Sequence, residues 1–296
     1  MYLLPPKRIC LSGGGIRAVA FLGALEALHQ KKLLRSVKEY VGISAGAFIC
    51  FGICIGYTLQ EMKKIAFEFD FSHIRSLEAT SAIDFLETYG FDSGENLVKL
   101  FESLLKQKQF PPTLTFQELR DAKPDTPSFR CFATDLTKCM AREFSYQKTP
   151  TIPILHALRA TMSLPLYFSP VADAETGNLL SDGALIDNYP MALLQPEERR
   201  ESLGFVFSND HVIDKEIQEP WDFLQQMLAC VYVPRARRIL TECPENTVVL
   251  PQGEFPSWNF EATKEERMLL AASAAEATQK FLEGWKPLPP PRRFSV

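Results

Sequence analysis

Tyr40-Val41-Gly42-Ile43-Ser44-Ala45-Gly46-Ala47 is the stretch on which the reading of this chain turns. A strand-like run, Ser36–Val41, leads into it, and small and apolar residues from Ala45 to about Tyr57 read as a buried helix behind it. Gly-x-Ser-x-Gly between a strand and a helix is the order a nucleophile elbow requires. The serine sits on a sharp turn, and the glycines on either side remove side chains that would clash there. Its hydroxyl is then held at the carboxyl end of a strand, with the positive end of a helix behind it. A glycine-rich helix start with an incidental serine matches the same pattern, so the rest of the chain has to decide. A second rival is a membrane span, because Tyr40–Gln60 carries no charge and about 20 apolar residues cross a bilayer. Two glycines and a serine interrupt that run near its start, and Gly52, Gly56 and Thr58 dilute the remainder. A helix apolar all round also suits the buried centre of a large α/β domain, which is the reading we adopt.

Upstream, Lys7–Ser12 reads as a first strand, followed at once by Gly13-Gly14-Gly15 and a helix ending near His29. Gly23 lies on the apolar face of that helix, where it would allow a neighbour to approach closely. Consecutive glycines between strand and helix admit three readings. They make a tight turn, a phosphate cradle, or a set of backbone donors for an oxyanion. The dinucleotide spacing is not met, since position 18 is Ala18, and no Gly-Lys-Ser/Thr follows to make a P-loop. Arg17, in the first turn of the helix, would add charge or pin the loop.

A serine nucleophile needs a base, and the chain has 4 histidines. His29 ends a helix, His73 lies in an aromatic stretch and His156 is inside a helix. His211 follows the later carboxylates and would complete a Ser44–Asp182–His211 triad. The scarcity turns attention to carboxylates. Ser181-Asp182-Gly183-Ala184 follows a short strand, and an aspartate touching a serine hydroxyl acts as a general base when apolar walls raise its pKa. An Asp-Gly turn is the plain alternative. Asp187 and Asp135 are competitors that equally organise loops.

Composition limits the rest. The 296 residues, 46% of them hydrophobic, suffice for one large α/β domain or two small ones, and a slight net charge of −4 argues neither for nucleic acid nor for a strongly anionic partner. Seven cysteines without framework spacing, and no apolar leader in Met1–Arg8, suggest a reducing, cytoplasmic setting. Cys50 and Cys54 lie four apart on one helix, an incomplete metal site and an ordinary pair of core thiols. Thr58/Glu61 and Thr115/Glu118 read as capping boxes, and Glu95 as the reciprocal cap of a helix beginning after Asp92. Phe129–Thr134 and Met140–Tyr146 read as paired strands, and Ile152–Thr161 as a helix. Phe168–Ala172 with Asn178–Ser181 reads as a hairpin, and Leu203–Phe207 as a strand. The rest reads as mostly helical: Trp221–Leu240, kinked at Pro234, then Thr263–Leu282, before a Pro-rich tail over 287–296. No composition break marks a boundary, so residues 1–296 are taken as one domain. The aromatic run Phe67–Phe71 reads as a lid or a packed edge. Arg235, Arg237 and Arg238 read as a solvated face or a contact with anionic headgroups.

Together, Gly13-Gly14-Gly15-Ile16-Arg17, Gly42-Ile43-Ser44-Ala45-Gly46 and Asp182-Gly183-Ala184 resemble the blocks of the patatin-like phospholipase family. Ala160-Thr161-Met162-Ser163-Leu164-Pro165 and Asn188-Tyr189-Pro190 resemble its flanking segments, and the matches cover residues 7–210. One departure is Ala18, where that family usually has glycine. The resemblance implies a three-layer α/β/α fold with a central, mostly parallel sheet. It also implies a lipid acyl hydrolase of phospholipase A or lysophospholipase type acting through an acyl-enzyme. By the same carry-over Ser44 is the nucleophile, Asp182 the base, and Gly13, Gly14 and Gly15 the oxyanion donors with Arg17 in support. No cofactor or metal is implied. Tyr167 and Phe168 are expected to line the acyl pocket, and a lipid or phospholipid ester is the expected substrate, reached by peripheral membrane contact. A lipid-binding or partner-binding protein that keeps the fold without turnover is the non-enzymatic alternative.

Overall fold

The computed structural model describes residues 2–3, 5–74, 85, 87–208, 216–218, 220–253 and 259–287. Two strand–glycine–helix units open the chain: β1 (Arg8–Leu11) with α1 (Val19–Gln30), and β2 (Glu39–Gly42) with α2 (Ala45–Cys54). Helix α3 (Leu59–Glu68), strand β3 (Gly90–Asp92), and helices α4 (Glu95–Gln107) and α5 (Phe116–Ala122) follow. Strands β4 (Ser128–Asp135) and β5 (Met140–Ser145) precede α6 (Ile154–Thr161). Next come β6 (Leu166–Phe168), β7 (Val171–Ala172), β8 (Leu179–Asp182), α7 (Pro196–Arg200) and β9 (Ser202–Phe207). Helix α8 (Pro220–Glu242), β10 (Thr247–Leu250) and α9 (Lys264–Gly284) complete the order.

The main sheet has 8 strands in the order β10-β9-β1-β2-β4-β8-β7, with β5 also paired to β4. Its first five strands are parallel, while β5, β7 and β8 enter antiparallel. Strand alternation supplies apolar groups to both faces. Ile9, Leu11 and Tyr40 pack with α1 and α2, whereas Cys10 and Val41 face Tyr189, Met191 and Ile239 of α8 on the other side. Helices therefore flank a central, mostly parallel sheet, the α/β/α arrangement expected.

Register brings the two ends that matter together. Gly42 of β2 lies opposite Cys131 of β4, and Asp182 of β8 lies opposite Ala133. The other edge of β4 is taken by β5. So β8 runs back along the β2 side of β4, and its last residue arrives just beyond the carboxyl end of β2. Helix α9 lies across α1, where Gly23 leaves room for the Ala271 carbonyl that any side chain would strike.

The capping boxes at Thr58/Glu61 and Thr115/Glu118 form as expected. The one expected at Glu95 does not. The cap of α4 is Gly94 in a left-handed conformation (φ 74°), and Asp92 instead accepts the Gly94 N–H at 2.7 Å. The hairpin is shorter than expected, β7 with β8, because Leu166–Phe168 pairs with Gly90–Asp92 instead. Helix α8 runs on through Pro234 to Glu242. Strand β10, in a region read as helical, extends the sheet beyond β9.

Candidate active site

Ser44 adopts φ 52°, ψ −129°, a conformation that strains any residue with a Cβ. A Cβ at Gly42 would strike the backbone of Gly46 and Ala47, and one at Gly46 the carbonyls of Leu11 and Ser12. Those clashes explain why this turn carries glycine on both sides. The Ser44 N–H donates to Thr161 Oγ1 at 3.0 Å, and Ser44 Oγ donates to Asp182 Oδ2 at 2.7 Å.

Asp182 is 1% exposed. Its Oδ1 accepts the Ala184 N–H at 2.9 Å, its own N–H donates to the Ser163 carbonyl, and its carbonyl accepts Thr134 Oγ1. Burial pushes its carboxyl up to about 6, opposed by the hydrogen bonds from Ala184 and Ser44. Asp187 is also pushed up to about 6 by burial, but it accepts the Tyr189 N–H within its own turn. Burial acts to raise Asp135 as well, yet hydrogen bonds from Asn178 and the amides of Lys138 and Thr137 hold it below its ordinary value. Both competitors organise loops.

The glycine loop is less uniform than the motif suggests. The Gly13 N–H, expected among the oxyanion donors, is donated to the Asn188 carbonyl at 3.1 Å. Gly14 and Gly15 donate to no acceptor among the described residues. Arg17 returns its N–H to the Gly14 carbonyl and places Nη1 2.8 Å from Gln252 Oε1, so the loop is pinned to the chain just beyond β10.

These groups open on a cavity of about 220 Å³. Its polar lining is Gly13–Gly15, Arg17, Ser44, Asp182, Asn188 and Gln252, and the remainder is apolar, including Phe48, Met62, Phe71, Phe101 and Phe168. Tyr167, expected beside Phe168, is not part of the lining. Its ring stands edge-on behind Phe168 at 4.7 Å and faces Phe260 at 6.0 Å. The aromatic run is a packed edge. Arg267 of α9, buried, donates to the carbonyls of Ala66 and Phe69 at 2.9 Å and lies over the Phe71 ring. Arg235 hydrogen-bonds the carbonyls of Leu185 and Ile186, and Arg238 pairs with Glu242, so two of the three arginines have local partners. Cys50 and Cys54 are both buried in α2.

His29 and His73 are exposed, and His156 sits beside Phe144, with burial lowering its pKa. His211 lies outside the described residues. Motif reasoning assigned no role to Thr161 or to the Asn188 carbonyl, although both stand in segments it singled out. Gln252 carried no signal at all.

The patatin-like phospholipase profile matches residues 9–194, and the chain belongs to that family. Over 185 residues it is 31% identical to the probable lipid hydrolase 463L of Invertebrate iridescent virus 6, a match spanning 62% of each chain. A second relative, the uncharacterized protein YqhO of Bacillus subtilis, is 26% identical over 93% of this chain and 97% of its own. Among solved structures, VipD from Legionella pneumophila superposes with a TM-score of 0.65 at 16% identity, over 94% of this chain and 67% of VipD. The type III effector ExoU gives 0.56 at 17%, over 96% of this chain and 54% of ExoU. At such identities the likeness is one of fold.

Proposed function

We propose that the chain is a lipid acyl hydrolase in which Ser44 is the nucleophile and Asp182 the general base. The observation that carries this reading is the direct 2.7 Å hydrogen bond between the two side chains, made beside an otherwise apolar cavity. A carboxylate with a pKa near 6 is ionised at neutral pH yet basic enough to share the serine proton. As Ser44 Oγ attacks the ester carbonyl carbon, its proton passes to Asp182 and the carbonyl π electrons move to oxygen. The amides of Gly14 and Gly15 receive that oxyanion, with Arg17 bracing their loop. Collapse breaks the bond to the alcohol, which leaves with the proton from Asp182, and Ser44 carries the acyl group. A water that gives a proton to Asp182 attacks the acyl carbon, and Ser44 Oγ leaves with that proton as the fatty acid is freed.

The apolar lining suits an acyl chain, so phospholipid or lysophospholipid esters are the proposed substrates. The viral relative named a lipid hydrolase supports this class. Phe207, Gln252 and Phe260 lie beyond the matched region yet line the same cavity, which supports treating residues 1–296 as one catalytic unit. No helix among the described residues is long and apolar enough to cross a membrane, and the proposed contact with lipid is peripheral.

The test is hydrolysis of phosphatidylcholine and lysophosphatidylcholine by wild type, Ser44→Ala and Asp182→Asn, with products resolved by mass spectrometry. Release of fatty acid by wild type and its loss in both variants is expected. Undiminished release by folded Ser44→Ala would overturn the assignment.

A further inference from the structure

We propose that Thr161 is a positioning residue for this reaction: its hydroxyl sets the placement of Ser44 relative to Asp182. The inference rests on the serine–aspartate reading above. Ser44 has a strained backbone and no side-chain cap of its own at the start of α2, so something outside the elbow has to hold it. Thr161 does so from the last position of α6. One hydroxyl makes two bonds there, accepting the Ser44 N–H at 3.0 Å and donating its proton to the Phe132 carbonyl at 2.5 Å.

The second bond gives the first its importance. Phe132 belongs to β4, the strand against which Asp182 is registered through Ala133. Thr134, two residues along, donates to the Asp182 carbonyl at 2.8 Å. The chain running past Thr161 then meets the aspartate strand again, because the Ser163 carbonyl accepts both the Asp182 N–H and Ser181 Oγ. Ser44 and Asp182 sit on different elements, 138 positions apart in sequence, and Thr161 ties the first to the strand that holds the second. Thr161, Ser163 and Ser181 are all buried, so water does not readily replace these bonds.

A consequence follows for the oxyanion. With its N–H given to Thr161, Ser44 has no amide to offer, and the donors must come from elsewhere, as the Gly14–Gly15 assignment requires.

The experiment compares wild type, Thr161→Val, which keeps the shape and removes the hydroxyl, and Thr161→Ser, which keeps the hydroxyl. Thr161→Ala serves as a second deletion, free of the added methyl, should the valine variant not fold. The readouts are circular dichroism, kcat and KM on p-nitrophenyl butyrate, and the rate of Ser44 labelling by a fluorophosphonate probe. Misplacement of a reacting group by about 1 Å costs on the order of 10²-fold. Folded Thr161→Val is therefore expected to lose about 10- to 100-fold in kcat and in labelling rate, with KM little changed, and Thr161→Ser to restore most of both. A folded hydroxyl-deletion variant with wild-type kcat and labelling rate would overturn the inference, as would a loss that Thr161→Ser does not restore. Failure of wild-type Ser44 to label at all would instead overturn the underlying serine–aspartate reading.

Discussion

Replacing Asp182 by Asn should abolish activity and at the same time make the protein more stable at neutral pH. Burial raises the Asp182 carboxyl from its ordinary 3.8 to about 6. Below pH 3.8 both folded and unfolded chains hold the proton, and this group takes nothing from stability. Between 3.8 and 6 the folded chain keeps a proton that the unfolded chain has released, so stability falls by about 1.4 kcal/mol for each pH unit. Above 6 the full penalty stands, a gap of about 2 pH units and hence about 3 kcal/mol. Asparagine carries no charge to desolvate. Its carbonyl oxygen can still accept the Ala184 N–H, and its amide can donate to Ser44 Oγ in a reversed bond that frees the Ser44 proton to turn toward the cavity. Urea unfolding of both proteins between pH 4 and pH 8 is the assay. Asp182→Asn is expected to gain about 2–3 kcal/mol at pH 7.5, with the advantage shrinking toward pH 4. Asp187, also pushed up to about 6, contributes equally to both proteins and cancels in the difference. A variant less stable than wild type at pH 7.5, or a difference that does not vary with pH, would refute the reasoning.

Two further perturbations separate the site from its surroundings. His211→Ala should retain most esterase activity, because Asp182 contacts Ser44 directly and the proposed proton transfer needs no imidazole between them. A loss of several orders of magnitude in kcat would favour the triad. Glu39→Ala should destabilise without altering kcat per folded molecule. Glu39 is buried at the amino end of β2, remote from Ser44 along the strand, and accepts Arg8 Nε at 2.7 Å and Arg130 Nη2 at 2.8 Å. Removing it strips Arg130 of its most buried carboxylate and leaves Glu198 at 2.9 Å and Glu143 at 3.9 Å, a change costing about 3 kcal/mol. Thermal melting and an activity assay on the same sample check both halves.

The parts of the fold legible in the sequence are those set by local chemistry. Two strands ending in glycines and running into apolar helices can be seen because steric demand and periodicity act within a dozen residues. The capping boxes at Thr58/Glu61 and Thr115/Glu118 are equally local, and a third, not among those expected, forms with the same spacing at Thr263/Glu266. The pairing of Leu166–Phe168 with Gly90–Asp92 joins segments far apart in sequence, and its effect is to turn Phe168 into the cavity while Tyr167 stands behind it. Strand β10 is four residues between Asn246 and Pro251, too short for alternation to register. The glycine loop shows the limit most clearly. Its composition marks three candidate donors, but only the arrival of the Asn188 carbonyl decides that Gly13 is already engaged. Gln252 reaches the site through its bond to Arg17 and its place in the cavity lining, neither of which a local pattern reports.

Three locally unfavourable features meet around this cavity. Ser44 holds a strained backbone, and among the described residues no cation offsets the burial of the Asp182 carboxylate and no acceptor meets the amides of Gly14 and Gly15. Each opposes folding on its own, and nothing in the packing of β1, β2 and β8 requires them to coincide. Under the proposed mechanism each serves a different moment. Strain exposes the nucleophile, desolvation keeps the base basic, and idle amides await a charge that exists only in the tetrahedral intermediate. Such a grouping is expected where function opposes stability. It also explains why relieving one of the three, as Asp182→Asn does, should strengthen the fold while ending the chemistry.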